Sequence, residues 1–449
     1  MNKKIKLISL GCSKNLVDSE HLLAQVANKC IDIVPEEQQY SDCIGNPIDV
    51  VIINTCGFIK DAKEESINTI LEAVEAKKRG YVKKIVVFGC LSQRYKEELE
   101  KEIPEVDAFF GAFDIKSVLE YIGILQNKDF CLKRYITTPS HYAYLKISEG
   151  CDRKCSYCAI PLIRGPHVSV PMEDLVTEAE NLAAAGVKEL IVIAQDTTYY
   201  GLDLYGERKL GELLRRLCKI EGIEWIRIHY SYPASFPKDV ITVMAEEPKI
   251  CKYLDIPLQH SSSKILKSMR RNIDAVGTQR LIDDLRKSIP DIVLRTTMIV
   301  GFPGEDNREF EKLLKFVQLN KFERLGAFTY SEEEGTYGAK KFKDTIREST
   351  KKRRYDKLME IQSEISYSYN KQRIGDVEEV IIDSYSDGIF TARSRKESPD
   401  VDGEIHINSK TLLNIGCPEN FAPEAFIGNF AKIRIIGADE YDLDGEFIN

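Results

Sequence analysis

Cys151, Cys155 and Cys158 stand within eight residues of one another, separated by three residues and then two. Thiolates are metal ligands, and three on so short a segment can wrap one metal centre. A closed structural zinc site takes four protein ligands. No further CxxC pair follows, and His167 reaches the site only across the stiff stretch from Pro161 to Pro166. A four-iron cluster held by three thiolates instead leaves one iron open. An open iron can chelate the amino and carboxylate groups of a small molecule. Spacing alone leaves cluster, zinc and simple packing open, with the cluster first.

Cys12, Cys56 and Cys90 form a second set. Each stands at the carboxyl end of an expected strand and beside a glycine: Gly11, Gly57 and Gly89. In a parallel sheet those ends share one edge, so residues far apart in sequence can converge there. A lone cysteine is ordinarily a small buried hydrophobe. Cys30, Cys43, Cys131, Cys218, Cys251 and Cys417 lack the shared context and read as structural. Twelve cysteines are many for a cytosolic chain, where thiols are kept reduced. The first residues resemble an export signal only superficially, because the apolar run is short and Lys6 breaks it. No stretch approaches the roughly 18 apolar residues of a membrane span. A cytoplasmic location is expected.

The elements that must position these cysteines can be read from pattern. In residues 1–130, apolar runs at 4–10, 49–54 and 84–88 alternate with helical stretches such as 61–78. That alternation predicts a parallel α/β domain. Residues 137–370 repeat the theme six times, with strands at 144–148, 189–194, 225–230, 253–257, 293–300 and 324–329. Six strand–helix units predict an incomplete TIM-like (βα)6 barrel with its site at the strands' carboxyl ends. A charged helix at 344–372 leads out of it, and Lys351-Lys352-Arg353-Arg354 reads as a solvated face. Residues 371–449 give short strands at 377–383, 389–393, 404–408 and 431–436, a small all-β barrel. The fold class is α/β with that barrel appended.

The octapeptide Cys-Asp-Arg-Lys-Cys-Ser-Tyr-Cys at 151–158 is similar to the CxxxCxΦC motif of radical S-adenosylmethionine enzymes, with Tyr157 in the aromatic position. In that family the open iron binds S-adenosylmethionine, and an electron from the cluster cleaves it to a 5′-deoxyadenosyl radical. With both cysteine sets present, the chain resembles the methylthiotransferase family over nearly its whole length. The resemblance implies two [4Fe-4S] clusters, an auxiliary one on Cys12, Cys56 and Cys90 and a radical-generating one on Cys151, Cys155 and Cys158. It implies a C-terminal TRAM domain, and cofactor contacts at Tyr157, Gln195 and Gly301. Further matches are Arg164-Gly165, Gln195-Asp196 and Gly301-Phe302-Pro303-Gly304-Glu305. Two positions depart from the pattern: Pro166, and Val170 where the family usually has arginine.

One branch of the family modifies adenosine in transfer RNA, and the other an aspartate of small-ribosomal-subunit protein twelve. The segment Gly-Cys-Ser-Lys-Asn-Leu-Val-Asp-Ser-Glu at 11–20 resembles the second branch, as do Asp196 and Glu333-Glu334-Gly335-Thr336. Charge gives a separate argument. Residues 371–449 carry 8 Lys and Arg against 16 Asp and Glu, which is the whole net charge of −8, and the remainder is neutral. Such a domain should attract a basic protein and repel nucleic-acid phosphates, so no stable nucleic-acid binding is expected. Asp400, Asp402 and Glu404 are the acids expected to serve. The implied reaction removes hydrogen from the aspartate β-carbon and transfers to it a sulfur that the auxiliary cluster carries and a second S-adenosylmethionine methylates. An electron donor protein is implied as a further partner. A zinc- or RNA-binding scaffold is the reading outside enzymes.

Overall fold

The computed structural model of the chain describes residues 2–27, 29, 31–416 and 421–448. Cys30 and Cys417, expected to be structural, lie outside the described residues.

Strands β1 (Lys3–Ser9), β2 (Ile31–Val34), β3 (Ile48–Thr55), β4 (Val82–Gly89) and β5 (Ala108–Phe109) form one parallel sheet in the order β2-β1-β3-β4-β5. Ile52, Ile53, Val86 and Val87 are fully buried, as the central strands of a sheet covered on both faces must be. In this strand order the chain reverses its winding between β1 and β3, and α/β sheets bind ligands in the crevice at that point. Cys12 follows β1 and Cys56 follows β3.

The second unit opens with β6 (Tyr142–Lys146) and a two-stranded ribbon of β7 (Ser148–Glu149) and β8 (Val168–Ser169). It continues through β9 (Glu189–Ile193), β10 (Trp225–Ile228), β11 (Ile250–Asp255), β12 (Val293–Val300) and β13 (Arg324–Thr329). Six of these strands pair in the order β13-β12-β11-β10-β9-β6, an open sheet and so an incomplete barrel. Side chains alternate across each strand. Ala143, Leu145, Leu190, Val192, Ile226 and Leu254 pack outward on helix residues such as Leu175, Leu213 and Val240. Tyr142, Tyr144, Ile191, Arg227, Tyr253 and Arg295 fall on the concave face. The helix Met172–Ala184 shows why such helices form here: Met172, Leu175, Ala179 and Leu182 make one buried stripe.

The helix Glu348–Gln372 runs from this unit to a closed barrel of β14 (Val377–Ser386), β15 (Ile389–Ser394), β16 (Ile405–Asn408), β17 (Phe430–Ala438) and β18 (Leu443–Phe447). The basic run on that helix is not a solvated face. Lys351 is 1% exposed and reaches the Tyr330 carbonyl and the Asp344 and Glu348 carboxylates, while Arg354 holds Glu305. Only Lys352 and Arg353 of the four point to solvent.

The acidic C-terminal unit is also less free than its charge suggests. Its acids neutralise the concave face of the open barrel. Glu397 accepts from Arg324 and Arg373, and Asp383 pairs with His141 and Arg393. Arg393 also reaches Glu189, which in turn holds Arg227. Asp402 takes the Tyr253 hydroxyl and lies 3.4 Å from Arg295, and Asp400 takes the Tyr144 hydroxyl. Of the three acids expected to meet a basic partner, Asp400 and Asp402 are thus bound within the molecule, and only Glu404, 3.4 Å from His406, is exposed. A formal charge count misses this because the partners in the radical unit, such as Arg324, His141, Tyr144 and Tyr253, lie far away in sequence.

Candidate active site

The Cys151–Cys158 segment is an excursion between β7 and β8, and its surroundings hold it at several points. The Cys151 amide donates to the Gly165 carbonyl at 3.1 Å and the Cys158 amide to Cys155 at 3.2 Å. Ser156, between the last two cysteines, is buried and tied on three sides. Its amide bonds to Met269, its hydroxyl to Ser268, and its carbonyl accepts from the Gly338 amide. Tyr157 packs with Ile265, Met269, Ile299, Phe302 and Tyr330. It therefore anchors the loop to the barrel rim.

Two arginines meet this loop. Arg153 donates to Asp196 at 2.7 Å and lies 4.0 Å over the Tyr232 ring. Buried Arg271 donates to Cys155 Sγ at 3.6 Å and to the Tyr157 hydroxyl at 3.5 Å. Nothing in the sequence beyond an Arg pair marked Arg271. Its position follows from the left-handed backbone of Arg270 and Asn272, which turns the chain back toward the cysteines. Burial pushes the Cys151 thiol up to about 12 and Cys158 above the ordinary thiol range. Bare thiolates would be costly here, and a cationic iron centre reverses that cost. Three sulfurs flanked by two guanidiniums suit an anionic iron–sulfur–thiolate assembly. His167 turns its Nε2 to the Ser169 hydroxyl at 3.1 Å and its amide to Asp152.

The other expected cofactor residues fare unequally. Gln195 is partly buried just past β9, next to the Asp196 that holds Arg153. Gly301 has φ +77, and a Cβ there would lie 2.4 Å from Lys351 Cγ. Its amide donates to the buried Glu305 carboxylate. That explains the glycine by a tight turn packed on the exit helix. Val170, at the departure from the family pattern, packs against the barrel core and gives its carbonyl to the Tyr200 hydroxyl.

The structure brings Cys12, Cys56 and Cys90 to one edge of the N-terminal sheet. Gly11 has φ +91, and a Cβ on it would fall 2.9 Å from Cys56 Sγ, so only glycine lets Cys12 and Cys56 approach. Cys90 Sγ lies 3.6 Å from Asn15 Oδ1 and accepts from Arg164 Nε at 3.3 Å. Burial raises the Cys90 thiol to about 11 and raises Cys56 as well. Cys12 is drawn the other way: the surrounding protein opposes ionisation, but Lys14, the Asn15 amide and Arg164 favour the thiolate. Among the described residues, no three His, Cys, Asp or Glu side chains converge on a single-ion site. A cubane makes no such demand, since each of its three thiolates binds a different iron.

That edge faces the barrel rim. Cys90 packs against Ala159 and Ile163, directly after Cys158. Arg164, 2% exposed, joins the two units through Asn15, Asp18 and Glu149 as well as Cys90. Lys146 adds bonds to Asp18 and Glu149. Lys63 and Arg94 both reach Glu333 from the N-terminal side. Farther out, Arg134 clasps Glu20 and Glu178.

This interface sets an acid limit. Burial alone would raise Glu149 and Glu178, but Lys146 and Arg164 around the first, and His21 and Arg134 around the second, bring each down to about 2. A depressed carboxyl contributes stability that is present above its unfolded value near 4.3 and lost as pH falls toward 2. The loss should reach roughly 2–3 kcal/mol per group. Melting of the cluster-free protein followed from pH 6 to pH 3 should show a steep fall below about pH 5, which Glu178→Gln makes shallower. A flat profile would contradict the assignment.

The Radical SAM superfamily matches residues 145–317, the uncharacterized protein family UPF0004 residues 4–111, and the TRAM domain residues 374–448. Two solved radical S-adenosylmethionine enzymes share the fold. One is the methyltransferase TsrM from Kitasatospora setae, with TM-score 0.55, 12% identity, and 76% of this chain and 77% of that one covered. The other is the cobalamin-dependent enzyme OxsB, with TM-score 0.51, 13% identity, and coverage of 81% and 56%. The open parallel barrel and its cysteine loop thus define a radical S-adenosylmethionine enzyme, a class that uses S-adenosylmethionine and a [4Fe-4S] cluster. Relatives named ribosomal protein uS12 methylthiotransferase RimO are similar end to end. That of Christiangramia forsetii is 50% identical across 99% of this chain and 94% of its own, and that of Cytophaga hutchinsonii 48% across 99% and 98%. The chain belongs to the RimO methylthiotransferase family. Among the described residues no helix is long and apolar enough to cross a membrane.

Proposed function

We propose that the protein transfers a methylthio group to the β-carbon of an aspartate in ribosomal protein uS12, in the cytoplasm, with electrons from a donor protein. What supports this reading is a second cysteine set whose Cys90 packs on Ala159 and Ile163, directly after the Cys151–Cys158 loop, and accepts from Arg164 of the same segment. Cys151, Cys155 and Cys158 are the residues for the radical cluster, and Cys12, Cys56 and Cys90 for an auxiliary one. When bound, these groups and S-adenosylmethionine supply the 5′-deoxyadenosyl radical and the sulfur that is methylated and transferred.

The chain's own work is orientation, charge compensation and exclusion of water. Three units share it: residues 1–130 carry the sulfur side, 137–370 the radical side, and 371–449 close the barrel's concave face. Arg153, fixed by Asp196, and Arg271, fixed by the Pro257 carbonyl at 2.5 Å, place positive charge on either side of the cysteine loop. Tyr157 holds the loop's register. Arg164, just after the cysteine loop, ties Cys90 and the N-terminal unit to the barrel rim, as a reaction needing both a radical source and a sulfur donor requires.

Gln195, one residue before Asp196 and partly buried at the barrel mouth, is assigned a cofactor contact. Gln195→Ala should lower turnover about 10- to 100-fold, the worth of one well-placed hydrogen bond to a charged group, while iron content stays full. Unchanged turnover would return the residue to a structural role. The substrate is tested by incubating reconstituted enzyme with uS12 and with tRNA separately under reducing, oxygen-free conditions, then weighing both. A methylthio mass increment on uS12 alone is expected, and one on tRNA would replace this reading by the RNA-modifying branch.

A further inference from the structure

Several acids around the interdomain space are already claimed. Asp18 and Glu149 belong to Lys146 and Arg164, Asp255 to Arg295 and the Tyr230 amide, and Asp400 to the Tyr144 hydroxyl. One cation there has no such counterpart. Lys14 is 5% exposed and makes no hydrogen bond or ion pair with any described residue. Its ammonium instead lies 3.2 Å from the centroid of the Tyr230 ring. An aromatic face offsets only part of an ammonium's loss of hydration, and a partly enclosed ammonium with no carboxylate partner among the described residues is suited to receive an incoming anion. Tyr230 itself carries φ 58 just past the carboxyl end of β10, the rim where barrel sites are built. Backbone strain of this kind persists where the surroundings impose it, and it clusters at functional sites.

Lys14 is two residues from Cys12, on the first turn of the helix Ser13–Ala27, and reaches across to the barrel. We infer that Lys14 is the residue that recognises the side-chain carboxylate of the substrate aspartate, drawing the adjacent β-carbon between the two triads. The inference rests on the uS12 reading above and deepens it. The chemistry fits in scale, since the carboxylate is one bond from the carbon to be modified. An ammonium in this position receives the substrate's negative charge without a bidentate fork, and the Tyr230 ring limits where that charge can sit.

The test uses holoenzyme with both clusters loaded, and measures affinity for uS12 and for uS12 in which the modified aspartate is asparagine. Wild-type enzyme should bind the asparagine protein about 10- to 100-fold more weakly. Lys14→Met should weaken binding of natural uS12 to a similar degree and become nearly indifferent to the asparagine change. Lys14→Arg should restore part of the preference. Iron content and affinity for S-adenosylmethionine, whose own carboxylate is the competing source of the same charge, should be unchanged. Lys14→Gln carries the same comparison should Lys14→Met load no iron. Discrimination that survives in the Lys14 variants overturns the inference, as does its absence in wild-type enzyme. A loss confined to S-adenosylmethionine affinity overturns it too, by assigning Lys14 to the cofactor. Each of those outcomes leaves the uS12 reading standing, whereas failure of wild-type enzyme to bind or modify uS12 removes both.

Discussion

Enzyme in which Cys151, Cys155 and Cys158 are all alanine should keep about half its iron, roughly four of eight atoms if both groups are four-iron cubes, and lose all cleavage of S-adenosylmethionine. The converse variant, with Cys12, Cys56 and Cys90 replaced, should lose the other half yet still cleave S-adenosylmethionine when reduced. The expectation rests on position: the first triad sits in a loop fixed by the barrel through Ser156 and Tyr157, the second on strand ends of another sheet. Neither loop supplies the other's backbone bonds. Iron analysis, visible absorption and assay of 5′-deoxyadenosine separate the two. Full iron in either variant would show the ligand sets to be wrong.

Glu397→Ala should destabilise the protein by about 3–5 kcal/mol, the usual loss when one partner of a buried ion pair is removed. Glu397 is 1% exposed and accepts from Arg324 at 2.9 Å, Arg373 at 2.5 Å and the Ser394 hydroxyl at 2.6 Å. Burial alone would raise its carboxyl, yet the two guanidiniums hold it well below the usual carboxylate range. Alanine leaves both cations without that acceptor in the seam between the radical unit and the C-terminal barrel. Protease should then release residues 371–449 at denaturant concentrations where the wild type resists. Glu404→Ala, an exposed control in the same unit, should stay within about 0.5 kcal/mol of wild type. Equal behaviour of the two variants would mean that the seam carries no stability.

Much of the architecture was legible because the informative residues are local. Strands β12 and β13 fall on the expected residues, 293–300 and 324–329, since each is a continuous run bounded by turn or helix signals. The placement of Cys12, Cys56 and Cys90 at one sheet edge follows from three strands ending in the same glycine-flanked way. Strand β2 and the two-residue β5, β7 and β8 went unread because they are too short for periodicity to register, and β18 because Asp444, Gly445 and Glu446 break its apolar pattern. The larger omissions are pairings. Arg164 was visible as a match after the cysteine loop, but nothing nearby announces Asn15, Asp18 or Cys90 as its partners. The acidity of residues 371–449 was visible as a number, while its use against Arg295 and Arg324 was not. Composition records charges, and only the fold says which of them are already spent on one another.

The charged seam also sets a clock. Glu189 must wait for Arg393, which follows it by 204 residues. At the roughly 5–20 residues per second of protein synthesis, that delay is on the order of 10–40 s. In the last part of it, once β13 has been made, the radical unit has all its strands but not Arg393 or the acids of residues 371–449 that pair with its inner wall. Packing that depends on such distant partners forms late. The supports of the Cys151 loop, from Gly165 to Gly338, are made before that stretch, whereas the seam that covers the barrel's inner wall closes only as the last stretch of the chain is made. The cysteine cradle is therefore made before the charged seam that braces it, and the seam is the last part of the molecule to set.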